Sequence, residues 1–255
     1  MNTTLQTMRK DEQGFTLVEL AVVMIIIGLL IGGILKGQEL ITNARVTSTA
    51  SQMESLGAAY NTFRDQFNAI PGDMGSATAR LANCPNTSAC GIDISATANN
   101  GIIDENVGEA PADEGIAFFG QMLAAGLITG MDGSGQTAAM GVTNPTASIG
   151  GGFMVGDTRT GTLNGFDGTE FRAGIYLVLN GVAATVDGSN GAVTGVQAAN
   201  IDRRLDDGNA LTGSIISDNG QNCRGTTQDN NGNDVAGTSY DLTSVDSICA
   251  LAYRM

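Results

Sequence analysis

The residues able to do chemistry in this sequence are few and clustered by type. Four cysteines, Cys84, Cys90, Cys223 and Cys249, all lie beyond residue 80 of the chain, and there is no histidine anywhere. A mixed Cys/His zinc site is therefore excluded, and neither pair has the C-x-x-C spacing of a ribbon or finger site. Two disulfides in an exported domain fit better, although four cysteines permit three pairings; the sequential one is favoured. Hard oxygen ligands alternate in DNNGND, where Asp229, Asn231 and Asn233 suit calcium, and a second candidate is LDDGN with Asp206 and Asp207. The first falls short of an EF-hand loop, with Asp234 where glycine is needed and Tyr240 where the bidentate Glu belongs. No cofactor is required by anything else in the sequence. A catalytic site would need a nucleophile with its base or a positioned carboxylate pair, and no spacing here specifies either, which points away from an enzyme.

One acidic residue is out of place. Residues 15–35 read FTLVELAVVMIIIGLLIGGIL, apolar but for Glu19, and are long enough to cross a bilayer as a helix. The flank that follows, KGQELITN, offers no A-x-A-like signal-peptidase site. Arg9 and Lys10 favour a cytoplasmic N-terminus, which places the cysteines outside the cytoplasm. A carboxylate in such a helix is costly and calls for a cationic partner.

The elements that position these groups follow from periodicity. Beyond Lys36 the pattern stays helical but mixed in polarity, with Val46, Met53, Leu56, Tyr60, Phe63 and Phe67 forming one apolar stripe until Pro71 and Gly72 end it. One helix over 15–68 is expected. Residues 114–126 suit a short helix despite Gly115, Gly120 and Gly126, and apolar runs at 171–181, 213–217 and 248–255 suit strands. The stretches 130–170 and 181–200 read as loops or short, variable strands. With 36 Gly and 5% aromatic residues, the chain points to many turns and modest cores. From Asp73 onward 20 acidic residues face 7 basic ones, and the net charge is −14, so nucleic acid is not expected as the main partner.

QGFTLVELAVVMIIIGLLIGGI resembles the cleavage and methylation motif of type IV pilins and of the pseudopilins of type II secretion. The resemblance implies cutting by the prepilin peptidase between Gly14 and Phe15, N-methylation of Phe15, and pairing of Glu19 with the terminal amine of Phe15 on a neighbouring subunit. Such pairing offsets two burial penalties and sets an axial register. NAIPGDMGSATARL and EGIAFFGQMLAAGLITG resemble segments of a subset of prepilin-like proteins, and a Cys223–Cys249 bridge would resemble the C-terminal disulfide loop of many pilins. Where many family members carry a proline near the end of the apolar half, this sequence has Lys36, with glycines around it.

The expected fold is therefore α+β and pilin-like, a long N-terminal helix, transmembrane then amphipathic, packed on a loop-rich antiparallel sheet. Its expected parts are a leader at 1–14, a transmembrane or filament-core half at 15–35, an amphipathic half at 36–68 and a periplasmic or extracellular head at 69–255. The expected function is a structural subunit of a type IV pilus-like filament. It starts as a single-pass inner-membrane prepilin and assembles with copies of itself or related pilins on the inner-membrane machinery. The alternatives are a type II secretion pseudopilin, a low-copy minor pilin with a ligand-binding head, and a monomeric membrane-anchored head.

Overall fold

The computed structural model describes residues 15–166, 171–220, 223–228 and 234–255. Helix α1 runs without interruption from Leu17 to Phe67. Its apolar residues up to Ile41 are exposed, and burial begins at Val46. From there Thr49, Ala50, Met53, Leu56, Tyr60 and Phe63 are covered at helical spacing, which is the stripe expected from the sequence extended by two small residues. The chain divides into two compact units, residues 1–43 and 44–255, and α1 contributes to both.

Within the second unit α1 is followed by the short helix α2 (Ala77–Arg80), a 3-10 turn at Ala89–Gly91, helix α3 (Asp113–Ala124) and strand β1 (Gly152–Asp157). Then come β2 (Ile175–Asn180), helix α4 (Gly195–Leu205), β3 (Ile215–Ser217), β4 (Arg224–Gln228), β5 (Asp234–Tyr240) and β6 (Leu251–Arg254). Four strands form one sheet in the order β1-β2-β6-β3, antiparallel throughout, with Leu177 opposite Val155 on one side and Tyr253 on the other. β4 and β5 form a separate antiparallel pair.

Successive side chains on a strand point to opposite faces, so a sheet covered on both sides needs apolar residues at every position. That is why β2 reads IYLVLN, buried throughout. On one face Phe153, Val155, Leu177, Leu179, Ile215 and Leu251 join the main core with the stripe of α1, Phe118 and Phe119 of α3, and Ala198 and Ile201 of α4. On the other, Met154, Tyr176, Val178, Ile216 and Ala252 pack beneath loop residues Val107, Phe166 and Val186. The fold is thus α+β with the helix packed on an antiparallel sheet.

Of the two stretches read from the sequence as loops or short strands, one gives rise to a helix and the other holds a short strand. Residues 195–205 form α4, opened by a capping box in which the Thr194 hydroxyl accepts the Gln197 N–H at 3.3 Å and Gln197 Oε1 accepts the Thr194 N–H at 3.0 Å. Residues 152–157 form β1, entered through a turn in which Gly151 has φ +65° and lies against the backbone of Asn180. α3 survives its glycines because one of them is needed: a Cβ on Gly120 would lie 2.4 Å from the Cys90 nitrogen, so only glycine lets the helix reach the 3-10 turn.

Candidate functional site

At the start of α1 the backbone N–H groups of the first turn have no helical partners. Thr16 is the residue before the helix and Glu19 is its third position. The Glu19 N–H donates to Thr16 Oγ1 at 3.2 Å, while Glu19 Oε2 accepts both the Thr16 N–H and the Thr16 hydroxyl at 2.8 Å. Thr16-x-x-Glu19 is therefore a capping box, and the carboxylate also sits at the positive end of the helix dipole. Glu19 Oε1 carries no hydrogen bond among the described residues. Phe15 is 84% exposed, and so are the side chains of Leu17 and Val18 for the most part. Gly14 lies outside the described residues. Further along, Lys36 Nζ meets Glu39 Oε2 at 2.7 Å in a solvent-exposed pair, and the helix continues through this position, where the sequence departs from the family pattern.

The cysteines pair as Cys84–Cys90 and Cys223–Cys249. The first bridge closes a six-residue separation around the turn that packs on Gly120. The second joins the residue before β4 to the segment leading into β6, where Cys249 exchanges backbone hydrogen bonds with Val193.

Of the oxygen ligands read from the sequence, Asp229, Asn231 and Asn233 lie outside the described residues. Asp206 and Asp207 are brought together with Asp202, and one carboxylate oxygen of each lies within 4.8 Å of the others. Asp202 went unremarked in the sequence because it sits inside α4, yet it is fully buried. Each carboxylate already has protein donors. Asp202 accepts the Gly208 N–H at 3.2 Å and the Tyr240 hydroxyl at 2.8 Å. Asp206 Oδ2 accepts the Ser214 and Ile215 N–H groups. Asp207 accepts the Asn209 N–H at 2.8 Å and the Thr212 hydroxyl at 2.6 Å. Burial pushes Asp202 up to about 6, against the pull of Tyr240 and Gly208 and with help from Asp207 and Asp206. The Thr212 hydroxyl and the Asn209 N–H hold Asp207 below the ordinary carboxylate range. Three hard-oxygen donors in one place suit calcium in type, and the same oxygens close the loop from Asp206 to Ile215 onto the end of α4.

Residues 9–35 match the family model described as the prokaryotic N-terminal methylation motif. This chain has a prepilin-type N-terminus. That motif is the hallmark of type IV pilins and pseudopilins, a family that is generally structural, and it implies processing by the prepilin peptidase and assembly into a filament in general terms. No curated protein and no solved structure matches the chain. The prepilin-type segment continues into the one helix, among the described residues, that is long and apolar enough to cross a membrane. Sequence reasoning singled out Glu19 for its charge and missed Thr16. The signal was present, a threonine three residues before an acid at the head of an apolar run.

Proposed function

We propose that this chain is the inner-membrane precursor of a structural subunit of a type IV pilus-like filament. In this reading the prepilin peptidase cuts between Gly14 and Phe15, Phe15 is N-methylated, and the apolar half of α1 passes from lipid into a bundle of like helices. The observation that carries it is a matched methylation motif at 9–35 running into an exposed apolar helix surface that extends to Ile41.

Glu19 supplies the register. One of its oxygens is held by Thr16, which fixes the carboxylate on its own helix, and the other is open to the terminal amine of Phe15 on a neighbouring copy. A subunit docked at another height would leave that amine and the carboxylate unpaired among apolar side chains, which is strongly destabilising. The acidic unit 44–255 is then the displayed head, a role for which no catalytic step is needed. Its calcium candidate is the group formed by Asp202, Asp206 and Asp207, which calorimetric titration of the purified protein with CaCl2 tests directly.

Mass spectrometry of the N-terminus in a host with active prepilin peptidase tests the processing: the mature chain should begin with N-methylated Phe15. Chains that all retain the leader would overturn the reading. Copy number in isolated filaments tests the major-subunit assignment, which one or a few copies per filament would rule out in favour of a minor, tip-located subunit.

A further inference from the structure

Two acidic side chains flank the start of α3 from inside the second unit. Glu105 and Glu114 are 4% and 2% exposed. Ala112, the residue before the helix, has no side chain able to cap it, and Glu105 takes that place from the preceding loop. Its Oε1 accepts the Ala112 N–H at 2.9 Å and the Gly115 N–H at 3.4 Å, while its backbone carbonyl accepts the Asp157 N–H at 2.7 Å from the end of β1. One residue thus ties the first turn of α3 to the sheet. The contact is close, since a Cβ on Gly115 would lie 3.1 Å from Glu105 Cγ.

The charged groups around this tie are acidic. Glu109 and Asp113 face Glu105, whereas Asp104 and Asp73 face Glu114, whose Oε2 accepts the Asp104 N–H at 2.7 Å beside the Thr97 hydroxyl. Arg159, the basic residue that follows β1, is committed to Asp157 through Nε at 2.9 and 3.0 Å. An ionised Glu105 would therefore be a buried charge held by N–H dipoles alone, against two carboxylates of like sign.

We propose that Glu105 is a proton-operated latch: protonated, it holds the first turn of α3 to the loop and β1, and ionised, it releases that turn. The carbonyl oxygen of the neutral acid keeps both N–H bonds, so protonation costs the cap nothing in geometry. Burial, with Glu109 and Asp113, pushes Glu105 up to about 7 in spite of the Ala112 and Gly115 N–H groups that pull it down. The folded value lies above the unfolded one, so the latch contributes fully below the ordinary glutamate range. That contribution is lost as pH rises through about 7. Nothing in this depends on filament assembly.

Hydrogen exchange of the full-length protein in detergent at pH 5 and pH 8, corrected for the intrinsic rate at each pH, reads the latch directly. The Ala112, Gly115 and Ile116 amides should lose protection by about tenfold between the two pH values relative to the β2 amides. In Glu105→Gln, which keeps the acceptor oxygen without the charge, that relative loss should vanish. A wild type that shows no relative loss, or a variant that loses as much as wild type, would overturn the proposal. Asp113→Asn tests it independently at an exposed position: removing a facing negative charge should move the midpoint of the loss to lower pH, and an unmoved midpoint counts against the latch.

Discussion

Glu19 caps the first turn of α1 and, in the proposed function, also sets the register between subunits, and conservative substitutions separate the two. Glutamine at this position can still accept the Thr16 N–H but carries no charge, so Glu19→Gln should leave membrane insertion and leader removal intact while filament yield falls by about tenfold or more. Immunoblots of membrane and sheared-filament fractions read both outcomes. Thr16→Val does the reverse, preserving the charge and removing the hydroxyl that caps the Glu19 N–H. Loss of an N-cap costs about 1 kcal/mol, so the expected result is a fraying first turn and a partial assembly defect, milder than that of Glu19→Gln. Tyr240→Phe is a third residue-level test. It strips a buried carboxylate of the donor at 2.8 Å and should lower stability by about 1–3 kcal/mol in denaturant titration, while pushing Asp202 further up.

At the scale of elements, Gly120 decides how α3 sits. Gly120→Ala places a methyl against backbone of the Cys84–Cys90 turn, which cannot yield as a side-chain tip would, and should cost about 1–3 kcal/mol, again read by denaturation. The elements that were legible in the sequence are those whose burial leaves a pattern. The stripe from Val46 to Phe67 on α1 and the unbroken apolar run of β2 each announce both the element and its environment. α4 was not legible, because GVQAANIDRRL buries mostly Gly, Ala and a single Ile, and small residues leave little periodic signal even behind a capping box. β1 was legible only as one of the loops or short strands of 130–170, because of the glycines at its entry, and β4 and β5, rich in Thr and Gly, lack the aliphatic alternation that marks a half-buried strand. The methylation motif at 9–35 was the most readable feature of the chain, since it is written in contiguous sequence. The Asp202 group was half readable: Asp206 and Asp207 are adjacent in the chain, whereas Asp202 and Tyr240 join them only through the fold.

For the molecule as a whole, the two bridges and the buried acids make stability sensitive to conditions. Reduction should raise the intact mass by about four hydrogens. The Cys223–Cys249 bridge spans 26 residues, so its loss should destabilise the head by about 3–4 kcal/mol by loop entropy, more than the shorter Cys84–Cys90 bridge. Asp218, buried beside Arg224, is pushed up to about 7 by burial, as Glu105 is, and Asp202 up to about 6. All three bind protons more tightly folded than unfolded, so thermal stability should be greater near pH 5 than near pH 8, the reverse of the usual carboxylate behaviour. The strand order carries a further consequence. β6 follows every other strand among the described residues, yet it lies between β2 and β3, so it is the keystone laid last. Until it arrives, β3 has no neighbour in the sheet and β2 presents an open edge. A ribosome that still holds residues 251–254 is therefore holding an unfinished sheet, in which β3 waits without a strand to pair with.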